Sequence, residues 1–143
     1  MLDKSLTQEI LRFRAALDRK PETPFRVLKN FPRGSCKLCS MLLTKYLLES
    51  DLINKENVLL CANGENQNKI SHAWLIIDGI VVDITSDQFN EVDQIVIIAE
   101  KYEFHKKFTG TNTFKFNSYM KINNKRYEQK FLKTYEILTS KMA

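Results

Sequence analysis

The segment SHAWLIIDGIVVDIT, residues 71–85, leaves this chain few ways to fold. Two apolar runs flank Asp78-Gly79, a dipeptide suited to both positive-φ positions of a type I′ turn, so a tight β-hairpin is predicted. A two-residue turn sets the register: with Ile77 opposite Ile80, Trp74 falls opposite Asp83. Side chains alternate along a strand, which places His72, Trp74 and Asp83 on one face. His72 is then the diagonal neighbour of Asp83, about 7–8 Å away at the backbone, and a carboxylate can hydrogen-bond an imidazole across that gap. A register slip of one residue would destroy this geometry.

A carboxylate so placed selects the imidazole tautomer and orients the ring, which leaves the second ring nitrogen free to take a proton. Cys36 can supply that proton. Pro32-Arg33-Gly34-Ser35 is a turn-and-cap sequence, and Leu38, Met41, Leu42, Lys45, Tyr46 and Leu48 follow at helical spacing to about Ser50, so Cys36 falls in a first helical turn. Backbone N–H groups and the positive end of the helix dipole favour negative charge on a sulfur there, and Arg33 and Lys37 add to the effect. Together these residues read as a triad with Cys36 as nucleophile, His72 as base and Asp83 holding His72.

Gly34-Ser35-Cys36, His72-Ala73-Trp74 and Asp83-Ile84-Thr85 resemble, in this order, the three motifs of the transglutaminase-like branch of the papain-like cysteine enzymes. Arg33-Gly34-Ser35-Cys36 also resembles the nucleophile segment of arylamine N-acetyltransferases, which share the Cys-His-Asp core. The resemblance covers about residues 30–90 and identifies no subfamily. It implies an α+β fold in which an N-terminal nucleophile helix packs on an antiparallel sheet, with a C-terminal helix following in this chain. It also implies acyl transfer through a Cys36 thioester, to water in a hydrolase, deamidase or peptidase, and to an amine in a transglutaminase or N-acyltransferase. The backbone N–H of Cys36 would be the first oxyanion donor. Asn30 stands where papain-like proteases carry a glutamine, Gln88 just after the Asp83 strand is a second polar candidate, and Trp74 is expected beside the substrate.

Cys36-Lys37-Leu38-Cys39 is also a C-x-x-C pair, open to a redox or a metal reading. A thioredoxin-like site should follow a buried strand, whereas the stretch from Leu28 to Arg33 carries a proline and charges and reads as a loop. Zinc would draft Cys61 and His72 into a Cys₃His set, a permissible combination at an irregular spacing. More simply, Cys39 is the core-facing residue one turn below Cys36, and Cys61 belongs to an apolar strand.

With 143 residues, 43% hydrophobic and 27% charged, the chain reads as one domain, 1–143, able to enclose a core without disulfides. Three cysteines in no framework pattern point to a reducing, cytoplasmic setting. The N-terminus reads as a charged amphipathic helix rather than a secretory signal, and no run approaches the ~18 apolar residues of a membrane span. No cofactor and no metal is expected, and the substrate is read as a protein, a peptide or a small amide or acyl donor.

Helices are predicted from about Ser5 to Arg19, capped by Ser5 or Thr7, and from about Asn124 to Lys141; further strands are predicted near 57–62 and 94–98, with a polar loop over 63–69. The remainder after Glu100 shows weak periodicity, with Phe104, Phe108, Phe114, Phe116 and Tyr119 scattered through polar sequence. Ten Lys or Arg against three acidic residues fill 101–143 of a chain that is +5 overall. That bias keeps open a second function, a non-catalytic papain-like module whose basic C-terminal part recruits an acidic partner such as a nucleic acid.

Overall fold

The computed structural model describes residues 2–54, 57, 59–100, 102–115 and 124–142. Helix α1 spans Lys4–Asp18, and its Leu6, Ile10, Phe13 and Leu17, three or four residues apart, are all buried. Its cap is Asp3 rather than Ser5 or Thr7. Starting one residue earlier than expected lets the Asp3 carboxylate accept the Ser5 N–H at 2.8 Å, beside the positive helix end. Helix α2, Cys36–Glu49, buries Leu38 through Thr44 without a break, so it is the central helix rather than a surface one. Gly34, at φ 71°, turns the chain into it through the left-handed region that glycine enters freely. Helix α3, Lys125–Ser140, is capped by Asn124, which accepts from Arg126 and Tyr127 N–H, and turns Phe131, Thr134 and Leu138 inward.

Five antiparallel strands form one sheet in the order β4-β3-β2-β1-β5, which with the helices makes the fold α+β. They are β1 Leu59–Glu65, β2 Ser71–Ile77, β3 Ile80–Asp83, β4 Ile97–Ala99 and β5 Thr109–Lys115. The β2–β3 hairpin has the anticipated register, Ile77 opposite Ile80 and Leu75 opposite Val82, with Asp78 at φ 50° and Gly79 at φ 82°. β1 begins later than anticipated and runs through Asn63-Gly64-Glu65, a stretch that reads as loop. Pairing with β2 on one side and β5 on the other overrides its composition. The strand expected at 94–98 shrinks to β4, because the Ile95 carbonyl turns to the buried Arg14 side chain instead of a neighbouring strand.

The sheet separates two cores. On one face Cys61, Ala73, Leu75, Ile77 and Val82 meet the three helices in a mostly aliphatic cluster. Each leucine, isoleucine, valine or phenylalanine fully buried there contributes about 1.5–3 kcal/mol. On the other face Ala62, Trp74, Val92, Ile97, Phe104 and Phe108 form a smaller, aromatic cluster.

Candidate active site

His72 and Asp83 meet on the aromatic face of the hairpin, with Nε2 2.6 Å from Oδ2 and both side chains almost fully buried. Asp83 Oδ1 accepts the Thr85 N–H at 3.0 Å, so the segment leaving β3 helps to hold the carboxylate. Burial pushes the Asp83 carboxyl up, but hydrogen bonds from His105, His72 and Thr85 N–H, with the His72 charge, outweigh it and bring the group down to about 2. For His72 burial disfavours the imidazolium, yet the Asp83 and Cys36 hydrogen bonds and charges lift it to about 9.

Cys36, the first residue of α2, is half-buried and lies close enough to His72 to act on its imidazole electrostatically. Nε2 is held by Asp83, so Nδ1 is the nitrogen left for the thiol. Ser35 makes no side-chain capping bond to α2; its hydroxyl donates to the Pro32 carbonyl at 3.3 Å and accepts from the Cys39 thiol at 3.5 Å. The positive end of the helix is therefore not shielded by its cap residue. Cys39 itself is fully buried, and burial pushes its thiol up to about 12.

His105 is a member of the site that no motif in the sequence marks. It lies in a short 3₁₀ turn, Glu103–Lys107, and its Nε2 is 2.7 Å from the same Asp83 Oδ2 that His72 uses. The chain has two histidines, and both bind one carboxylate oxygen. In Phe104-His105-Lys106-Lys107-Phe108 the two lysines read as surface, yet Phe104 and Phe108 are buried and bracket the histidine. That bracketing was the available signal. Phe89, Phe104 and Phe108 pack around the His72 ring with centroids 5.1, 6.0 and 5.5 Å away.

The three candidate binding residues fare differently. Gln88 is at the site: its Nε2 lies 3.3 Å from His72 Nδ1 and donates to the Thr85 carbonyl at 3.1 Å. Asn30 is exposed at the end of a 3₁₀ turn, Arg26–Asn30, and its carbonyl receives the Arg33 N–H in the turn before α2; no described hydrogen bond joins its side chain to His72, Asp83 or Gln88. The shape of that turn, not distance along the chain, decides where Asn30 ends up. Trp74 is only 4% exposed, with its ring 5.6 Å from His72 and 4.6 Å from His105, so it is a buried wall behind the imidazoles rather than a surface open to substrate.

Arg14, buried in α1, braces this region from behind. Its guanidinium donates to Asp87 at 2.8 Å and to the Ile84 and Ile95 carbonyls, pairs with Asp18, and lies 4.6 Å from the Phe31 ring centroid. One side chain thus ties the segment bearing Gln88 to the turn that leads into Cys36.

Metal chemistry has one candidate among the described residues, the group His72, Asp83 and His105. Ligand atoms about 2.0–2.1 Å from a tetrahedral zinc stand roughly 3.3 Å apart. The 2.6 and 2.7 Å separations here, both to one oxygen, suit shared protons and leave an ion no room. The Cys₃His set drawn from the sequence does not assemble among the described residues, because Cys39 and Cys61 point into the aliphatic core on the opposite face from His72. The basic C-terminal residues of α3 are mostly exposed and interleaved with Glu128 and Glu136, which suits a solvated helix face; Phe116 and Tyr119 lie outside the described residues. No described helix is long and apolar enough to cross a membrane. Compared with family models, curated proteins and solved structures, the chain matches none.

Proposed function

We propose that this chain is a thiol-dependent acyl-transfer enzyme of transglutaminase-like, papain-like type, acting on a carboxamide, peptide or acyl thioester through a Cys36 thioester. The observation that carries this reading is the bond from His72 Nε2 to Asp83 at 2.6 Å, with Cys36 beside the same imidazole at the start of α2. Asp83 keeps the ring oriented with its proton on Nε2, and Nδ1 takes the thiol proton. The sulfur then forms a bond to the substrate carbonyl carbon. As the tetrahedral intermediate collapses, the carbon–nitrogen bond, or the carbon–sulfur bond of an acyl thioester, breaks and the imidazolium gives its proton to the departing amine, ammonia or thiolate. Water attacks the thioester with His72 as base, releasing the acid and returning the proton to sulfur.

Two groups suit the oxyanion: the Cys36 backbone N–H at the start of α2, and the Gln88 amide. Gln88 Nε2 lies 3.3 Å from Nδ1 and can donate to it only while that nitrogen is bare. Once Nδ1 is protonated the two become donor against donor, and the amide N–H is released toward the carbonyl oxygen as it gains charge.

The test is a panel of glutamine amides, peptides and acyl thioesters, with the trapped acyl group located by mass spectrometry. Turnover with the acyl group on Cys36, absent in Cys36→Ala at unchanged melting temperature, is expected. A Cys36→Ala protein that keeps full turnover removes Cys36 from the role.

A further inference from the structure

Two imidazoles share Asp83 Oδ2, and their second nitrogens differ. His72 Nδ1 lies 3.3 Å from Gln88 Nε2, whereas His105 Nδ1 is buried with no hydrogen-bond partner among the described residues. The arrangement that leaves least unsatisfied puts the His105 proton on Nε2, donated to Asp83, with Nδ1 a bare acceptor among aromatic rings. No proton route leads out through such a group. From this asymmetry we infer that His105 is a positioning residue for the reaction: its Nε2–H pins Asp83 Oδ2 so that the carboxylate presents a fixed and partly satisfied acceptor to His72. The inference rests on the triad reading above.

The surroundings support it. Asp83 Oδ1 is already held by Thr85 N–H, so the His105 bond on Oδ2 removes the remaining freedom of the carboxylate to swing about its own Cβ–Cγ bond. Trp74 and Phe104 hold the His105 ring in turn, with centroids at 4.6 and 5.2 Å. Among the described residues, the other titratable groups around His105 are His72 on β2, Asp83 on β3 and Tyr102, whose ring centroid is 5.8 Å away. On its own turn, Glu103, Lys106 and Lys107 are exposed to solvent.

Sharing also limits what Asp83 gives to His72. An oxygen that accepts two N–H groups stabilises either imidazolium less than one that accepts a single N–H. Loss of the His105 donor should therefore raise the His72 titration midpoint, while freeing the carboxylate and slowing turnover. A Phe in its place fills the aromatic cage without a donor. A Gln carries its amide nitrogen where the imidazole carries Nε2.

The experiment titrates His72 by NMR in the intact protein and in His105→Phe, His105→Asn and His105→Gln, and measures kcat and KM on the best substrate of the panel. In His105→Phe the His72 midpoint should move upward and kcat fall about tenfold, the size seen when the partner that orients a functional side chain is lost, with KM little changed. His105→Gln should restore both. Should His105→Phe fail to fold, His105→Asn, too short to reach Oδ2, gives the same reading. A His72 midpoint that stays put in the donor-less variants, or a His105→Gln protein as impaired as they are, overturns the role. The titration needs no substrate, so it judges His105 whether or not Cys36 proves to be the nucleophile.

Discussion

The two faces of one sheet differ in what they are built from. Leu75, Ile77 and Val82 face a helix layer made mostly of leucines, with Ile10, Phe13 and Phe131, where any well-packed apolar side chain of similar volume would serve. Trp74, His72 and Asp83, from the same strands, face Phe89, Phe104, Phe108 and His105, where donor and acceptor positions matter as much as volume. Rigid aromatic rings hold the imidazoles without competing for their hydrogen bonds. The difference teaches that side-chain volume decides one face while donor and acceptor positions decide the other, so damage to each should read out differently at Cys36 and His72.

The largest break in that contrast is Asp83→Ala, which leaves two buried imidazoles without their shared acceptor. Stability should drop by about 3–5 kcal/mol, the usual cost of removing one member of a buried pair. His72 should titrate well below its present value of about 9. Denaturant unfolding and NMR titration report the two effects.

Leu42→Ala strikes the opposite face. Leu42 is fully buried in α2, and its truncation should cost about 2–5 kcal/mol. Under conditions where the variant is folded, however, the alkylation rate of Cys36 should match the parent. A large change in that rate would mean that the two faces are mechanically coupled.

A smaller effect sharpens the comparison through pH. His72 titrates at about 9 in the fold against an ordinary 6.5, so its share of stability is complete below about 6.5 and is lost as pH rises through 9. Asp83 titrates at about 2 against 3.8, so its share is complete above about 3.8 and is lost as pH falls through 2. The melting temperature should decline between pH 6.5 and 9, and replacing His72 with Gln should flatten that alkaline slope. A slope that survives His72→Gln would assign it to other groups.

Much of this face was legible from local rules. The Asp78-Gly79 turn set the register, and the register put His72 beside Asp83; the helix spacing after Pro32 put Cys36 at a helix start. His105 was not legible, because it reaches Asp83 from a segment with neither helix nor strand periodicity, and its position depends on Phe104 and Phe108 burying themselves against β2. Asn30 shows the converse failure, since its expected place came from a count of residues and the intervening turn carries it to the surface. Strand β5 was hidden for the same reason as the end of β1: polar residues become strand only when a partner edge is present. The proposed papain-like reading rests on the motif order and on the His72–Asp83 pair, and the α+β fold accommodates it.

The central claim, that His72 and Asp83 serve a reactive Cys36, is tested most directly by iodoacetamide labelling at mildly acidic pH, with each cysteine followed separately by mass spectrometry. The account predicts rapid labelling of Cys36 alone, with Cys39 and Cys61 protected by burial, and a loss of that rapid phase in His72→Gln. Slow labelling of all three thiols at similar rates, rising only in alkali and indifferent to His72→Gln, would contradict it.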